Sequence, residues 1–424
     1  MDRAKEWAGR AFDVVRKHRP DYQIVLLMGL LMLFGLITIY AVGPQHANLL
    51  NNATGANYSD DYFFIKQLIS LALALVAFIG LAVIPYKWLL KHGGLFVVLG
   101  VLACFVLMIA QLAHSGIAEC TLGACRWFNL GPIGSLQPAE FLKFGLLIYI
   151  AGFLGIRMQQ GKVNDWKETL MPIGIVTGIS LIFVVVIQKD LGTGMSLAAI
   201  VAAMLFMSGV NKKVGLTLLI AGALIGVLFI VMAPHRIERV ATYFQGDSAD
   251  SSDSSNYQSQ NAKIALGTGF WTGLGIGNSI QATGYLPEAI NDSVFAIMGE
   301  TFGFIGVGVI ILLFVLLLIR MLKIMDHLLD PRLKLLAAGV FGWFGAHVIL
   351  NIAAMIGVFP LTGITLPFLS FGGTSMIFIT AAVGLVFQLS RYTTHSSKLK
   401  EDFDEDTRRR RGLGRPRYAS RRSA

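Results

Sequence analysis

Ten stretches of the chain are dominated by apolar residues: 22–42, 64–85, 93–113, 138–156, 169–187, 190–209, 214–234, 294–319, 335–356 and 373–391. Each is close to the roughly 20 residues that a helix needs to cross about 30 Å of hydrocarbon. The pattern predicts an all-α, polytopic membrane protein with about ten transmembrane helices. No small-residue cleavage site follows Tyr22–Val42, so the first run reads as a span rather than a removable signal. The fifth and sixth runs are separated only by Gln188, Lys189 and Asp190, which predicts a tight hairpin.

The polar gaps fall into two kinds. One set is basic: Arg3 to Arg19 before the first span, then Lys87 and Lys91, then Arg157, Lys162 and Lys167, then Lys212 and Lys213, then Arg320, Lys323, Arg332 and Lys334. These gaps alternate with the other set, and the Arg408–Arg411 tail falls on their side. Lys and Arg are retained in the cytoplasm, so the alternation places both termini there. The second set comprises 43–62, 114–137, 188–190, 234–293 and 357–372, rich in Gly, Pro, Trp, Asn and Gln, and is expected outside. The 234–293 gap, between the seventh and eighth spans, is about sixty residues, longer than ordinary connections, and reads as functional or disordered. Within it, 246–256 is Ser/Asp-rich and reads as a mobile strip. The organisation expected is a basic cytoplasmic segment 1–21, a transmembrane domain 22–392 with its outer loop 234–293, and a basic, disordered cytoplasmic tail 393–424.

Composition supports lipid as the main solvent. Of 424 residues, 55% are hydrophobic and 14% charged, against about 25% charged in ordinary soluble domains. The net charge of +10 would suggest nucleic acid in a soluble protein. Here it sits in short loops and tails, where it sets orientation, so no nucleic-acid partner is expected. Three cysteines make no disulfide scaffold and no metal-ligand spacing. Cys120 and Cys125 share one outer loop, where a disulfide is allowed but not required, and Cys104 lies in a span.

Several residues could carry chemistry. Asp292 sits where the long outer loop enters the eighth span. Asn and Asp are favoured helix caps, and from the pattern alone capping is the preferred reading, with a general base as the alternative. Glu300 lies about two turns further into an apolar helix, where a carboxylate is costly and must face protein or a water-filled cavity; an ion pair and a substrate role are both open. Pro138 fits a first helical turn and Glu140 its positive end. Glu140 and Lys143 are three apart and can pair. Trp127 could sit in an interfacial belt or stack on a sugar. Arg236, Arg239, Lys189 and Lys263 are cations on the outer side, against the positive-inside bias. They would suit a pyrophosphate or pair with Asp190, Glu238 and Glu288. The Gly-rich run 267–277 lacks the Gly-Lys-Ser/Thr ending of a nucleotide loop and reads as tight turns at the membrane surface.

Taken together, Arg126-Trp-Phe-Asn-Leu-Gly, Gln137-Pro-Ala-Glu-Phe-Leu-Lys143, Gln188-Lys-Asp-Leu-Gly-Thr193, Tyr257-Gln258, Leu286-Pro-Glu-Ala-Ile-Asn-Asp292, Gly299-Glu300 and the run Pro360 to Ser375 resemble the SEDS family (shape, elongation, division and sporulation proteins), the FtsW/RodA/SpoVE group. The resemblance extends from the first span to about Tyr392. It implies a peptidoglycan glycosyltransferase that uses lipid II in the bacterial cytoplasmic membrane, with a class B penicillin-binding protein and other division or elongation proteins as partners. The family's catalytic Asp matches Asp292, which reverses the preference for capping. Substrate contacts are then expected from Arg126, Trp127, Lys143, Gln188, Lys189, Asp190, Arg236, Arg239, Tyr257, Gln258, Lys263 and Glu288, with Glu140 and Glu300 structural or lining the cavity. No organic cofactor is implied; a divalent cation could assist the pyrophosphate. The chain departs from the family pattern at Lys189, Asn261, Ser293-Val294 and Thr301. The basic C-terminal extension resembles the division branch and Pro360-Leu-Thr-Gly-Ile the elongation branch; the former is favoured, which would put the protein at the septum.

Overall fold

A computed structural model describes residues 18–113, 115–121, 124–129, 131, 134–231 and 254–394. Over the described residues, each of the ten expected spans falls on a helix. In chain order these are α1 (Tyr22–Thr54), α2 (Tyr62–Val83), α3 (Tyr86–Leu112), α4 (Pro138–Gln159), α5 (Trp166–Ile187), α6 (Leu191–Met207) and α7 (Lys212–Val231). An eleventh, α8 (Ser254–Thr268), precedes α9 (Val294–Asp326), α10 (Pro331–Met355) and α11 (Gly373–Leu389). Among the described residues, eight of these helices are long and apolar enough to cross a membrane, and α6 is a shorter apolar helix. The chain is a multi-pass, predominantly helical membrane protein.

Local signals account for several boundaries. Asp21 caps α1 by accepting from Gln23 N–H, and Asp330 caps α10 ahead of Pro331 in the same way. Such caps satisfy amides that the helix leaves unpaired. Asp190 caps α6, so the reversal between α5 and α6 is as tight as the three intervening residues suggested, with Lys189 in the left-handed region (φ 54°). Helix α1 runs twelve residues beyond the expected end at 42, through Pro44, and stops at Gly55 (φ 69°).

Two outer segments are more ordered than a loop. Residues 118–136 contain a three-stranded antiparallel sheet, β1 (Ala118–Thr121), β2 (Ala124–Asn129) and β3 (Ser135–Leu136), with Cys120 and Cys125 facing each other across β1 and β2 and joined as a disulfide. The expected mobile strip 246–256 lies outside the described residues up to 253, and its last three residues open α8 rather than a strip.

In the bundle, α2 lies along α11, α3 along α4, and α6 and α4 along α10. α4, α10 and α11 are the most buried spans, whereas α2 and α3 present most of their surface outward. One end of the bundle is tied by the Asp21–Arg320 ion pair and by Asp21 N–H donating to Ser390 Oγ at 2.9 Å. The other end gathers the sheet, the α5–α6 turn, the α8–α9 segment and the α10–α11 segment. The charge pattern predicts that this is the outer end.

Candidate functional site

Asp292 lies in the turn before α9, whose first helical residue is Val294 and whose capping position is Ser293, with no side-chain cap. Gln258, half-buried on α8, donates through Nε2 to Asp292 Oδ1 at 3.4 Å and to Ser293 Oγ at 2.9 Å. Ser293 Oγ donates in turn to Pro287 O at 2.9 Å. The neighbouring Asn291 donates from Nδ2 to Glu288 Oε2 at 2.5 Å. Glu288 is exposed and holds a left-handed backbone (φ 53°), from which its carbonyl accepts the amides of Asn291 and Ser293.

The Asp292 main chain is anchored from another helix. Asn351, buried in the last turn of α10, donates from Nδ2 to Asp292 O and to Ile364 O, both at 2.7 Å. Phe371 N–H donates to Ile290 O at 2.7 Å. The 284–293 and 360–375 motifs, distant in sequence, thus form one structure at one end of the bundle, with Gln258 bracing it from α8.

A second cluster is buried between α4, α6 and α10. Lys143, with 0% of its side chain exposed, donates to Glu140 Oε1 at 2.8 Å and Ser196 Oγ at 3.2 Å. It lies 4.8 Å from the centroid of the Trp343 ring. Lys143 Nζ and Trp343 Nε1 both point at His347 Nε2, at 3.4 and 3.3 Å. That nitrogen is the acceptor, so the proton is on Nδ1, which faces Thr365 O at 3.1 Å. A buried ammonium surrounded by acceptors and an aromatic face is what burial of charge requires. Lys143 thereby fastens α4 to α6 and α10.

Glu300, buried in α9, is held by four neutral donor contacts. Ser279 Oγ donates at 2.5 Å, Ile280 N–H at 3.1 Å, and Gln281 N–H at 3.3 and 3.2 Å to the two oxygens. It caps the short helical turn Gln281–Thr283 and holds the α8–α9 segment onto α9. The ion pair considered from sequence is replaced by an anion seated on backbone amides, a favoured arrangement.

The other expected residues divide among roles. Arg126 on β2 donates to Gln188 O at 3.2 Å and Lys189 O at 2.9 Å, bracing the α5–α6 turn. Asp190 accepts from Thr193 N–H at 2.9 Å, Thr193 Oγ1 at 2.8 Å and Gln137 Nε2 at 3.0 Å. Gln188 is buried, its side chain beside Cys104. Trp127 pairs with Glu119 across the sheet and is half-buried. Lys189, Tyr257 and Lys263 are exposed, the Lys263 stem lying against Gly357 just past α10. Arg236 and Arg239 lie outside the described residues. Among the described residues no three His, Cys, Asp or Glu side chains are placed to hold a metal ion.

Sequence reasoning missed Asn351, His347, Trp343, Ser196 and Ser279. The signal was present for the first three. Trp343, His347 and Asn351 recur every four residues on an otherwise apolar helix, which puts three polar groups on one face.

A family model described as a cell cycle protein, FTSW_RODA_SPOVE, matches residues 22–395. A probable peptidoglycan glycosyltransferase FtsW of Nitrosomonas europaea is 31% identical over 376 residues, 88% of this chain and 93% of that protein. A protein of the same description from Taylorella equigenitalis is 34% identical over 369 residues, covering 85% and 94%. Stage V sporulation protein E of Bacillus subtilis is 31% identical over 382 residues, covering 90% and 99%. In fold, the chain is similar to a chain of a peptidoglycan synthase complex solved for its coordination of polymerization and crosslinking (TM-score 0.69, 24% identity, 88% of this chain and 98% of that one). It is also similar to the rod shape determining protein RodA of Thermus thermophilus (TM-score 0.63, 21% identity, 89% and 98%).

Proposed function

This chain belongs to the FtsW/RodA/SpoVE family of cell cycle proteins, and on that premise we propose that it polymerises lipid II into β-1,4 glycan at the outer face of the membrane, with Asp292 as general base. It is a peptidoglycan glycosyltransferase, as its relatives are described. The observation that carries the site is the Asp292 carboxylate: it stands at a helix start, met by Gln258 from α8, on a main chain fixed by Asn351.

In the reaction, the 4-hydroxyl of an acceptor GlcNAc attacks C1 of a donor MurNAc. The new C1–O bond forms as the bond to undecaprenyl pyrophosphate breaks, and the hydroxyl proton passes to Asp292. Direct displacement inverts the anomeric centre, from the α-linked pyrophosphate to a β linkage. Gln258 orients the carboxylate, and the exposed Lys263 supplies positive charge at the same end of α10, with Arg236 and Arg239 the further candidates for the leaving pyrophosphate. Arg126 and Asp190 are engaged with the α5–α6 turn, which supports a bracing role for them rather than direct substrate contact. A divalent cation would arrive with the pyrophosphate rather than in a protein cage. The partner that fits is a class B penicillin-binding protein carrying the crosslinking activity, at the division septum.

A lipid II flippase would need a polar path through the bundle. The buried Lys143 cluster is the group available, and its ammonium is already held by Glu140, Ser196, His347 and Trp343, which favours a lock over a path. Purified protein given labelled lipid II, with and without the penicillin-binding protein, separates the readings. Glycan strands are the expected product. Transfer of lipid II across a bilayer without polymer would support transport. Polymer that appears only with a partner possessing its own polymerase would support a scaffold.

A further inference from the structure

We propose that the segment between α8 and α9 is not an aqueous loop but an interfacial element seated among the acyl chains of the outer leaflet, beside the Asp292 site. From Ile264 to Pro287 the chain carries no Asp, Glu, Lys or Arg. Phe270 and Trp271 are 78% and 67% exposed, and Ile276 and Ile280 are exposed as well. In water such a patch would be a liability.

The backbone supports the same reading. Helix α9 is interrupted at Gly303 (φ 68°, ψ −171°), which leaves amides and carbonyls without intrahelical partners. The segment supplies them: Leu274 N–H donates to Glu300 O at 2.8 Å and Gly275 N–H to Thr301 O at 3.1 Å. In the other direction, Phe304 N–H donates to Phe270 O at 2.7 Å and Ile305 N–H to Trp271 O at 3.1 Å. A break in the ladder is tolerated in hydrocarbon only where the freed groups are paired again. The approach is so close that a Cβ on Gly273 would lie 2.2 Å from Thr301 O.

Depth follows from α9 itself. Phe304 to Ile319, the residue before Arg320, is about 24 Å at 1.5 Å per residue. The hydrocarbon is about 30 Å thick, so the break and its paired segment lie at its outer boundary. Phe304, 67% exposed, meets the Trp271 ring edge-on at 5.3 Å, so the patch continues the lipid-facing surface of α9. Aromatic side chains favour that boundary. Phe270 is held in the left-handed region (φ 45°), a costly conformation for an aromatic residue. The sequence keeps it there while leaving the ring uncovered.

Resting on the glycosyltransferase reading, this element gives the site a wall that opens to lipid. A polyprenyl-linked substrate can then approach from the side while its tail stays in the bilayer.

The test is depth in the full-length protein, reconstituted in phospholipid vesicles. Spin labels are placed at Phe270→Cys and Ile276→Cys, one at a time, with Cys104→Ser as background and the Cys120–Cys125 disulfide intact. Glu288→Cys serves as the aqueous reference and Leu312→Cys, exposed on α9, as the lipid reference. Labels at 270 and 276 should relax with oxygen as the α9 label does and be shielded from a water-soluble nickel chelate. Nickel accessibility equal to that at 288 overturns the proposal. Protection from both reagents also overturns it, because the patch is then covered by protein. The depth result is independent of whether Asp292→Asn retains activity, so a failure here and a failure of the catalytic reading are distinguishable.

Discussion

At Asn351 one amide nitrogen donates to the carbonyls of Asp292 and Ile364, which makes position separable from chemistry. Asn351→Asp keeps the shape and replaces both donors with oxygen facing carbonyls. The expected result is a fall in kcat of about 10²-fold, the scale on which small misplacements act, with KM changed little. A role confined to stability would instead lower the melting temperature and leave the folded fraction at normal kcat. At Lys143 the expectation is thermodynamic. Lys143→Met strands the buried Glu140 carboxylate and should cost about 3–5 kcal/mol. Adding Glu140→Gln should restore much of this, a coupling that melting of the single and double variants measures directly. Sequence exposed these sites unevenly. The Glu140–Lys143 pair is visible as a three-residue spacing on a helix. Ser196 and His347 are brought to it by helix packing alone, which leaves no local trace. Asp292 stands at a legible loop-to-helix junction, but the Gln258 and Asn351 contacts that hold it come from other helices.

Among the elements, α9 concentrates what periodicity does not reveal. Its hydropathy reads as one continuous span, yet Gly303 divides it and Glu300 anchors a returning segment. The run 267–277 was legible as a set of tight turns because of its glycines. What those turns pair with depends on backbone hydrogen bonds from residues 300–305. Gly303→Ala would place a Cβ 2.3 Å from Gly273 N at a positive φ. The backbone conformation alone should cost about 1–3 kcal/mol, and the clash adds to that. Thermal unfolding in detergent should fall accordingly, with loss of polymerisation, whereas Gly308→Ala, with open space around it, should change neither. The small sheet was missed because strands of two to six residues are too short to show a period.

Over the whole molecule, the ten apolar runs were legible because hydrocarbon imposes length and composition on whatever crosses it. Which helices become the buried ones, α4, α10 and α11, was not, since all ten are similarly apolar. The grouping of 118–136, 188–190, 254–293 and 357–372 at one end agrees with the alternation of basic gaps. Reporter fusions should accordingly find Lys212–Lys213 and both termini in the cytoplasm, and Trp127, Tyr257 and Asp292 outside; a cytoplasmic Asp292 would remove the site from its substrate.

The most direct measurement of the central claim is the rate of lipid II polymerisation by purified Asp292→Asn protein beside the wild type. Asn keeps the size of the side chain and its place beside Gln258, and removes only the proton acceptor. A loss of about 10²–10⁴-fold is expected for a general base, with folding, lipid II binding and partner binding retained. A folded Asp292→Asn protein that makes glycan at the wild-type rate would contradict the account, because the proton of the attacking hydroxyl would then be leaving by another route.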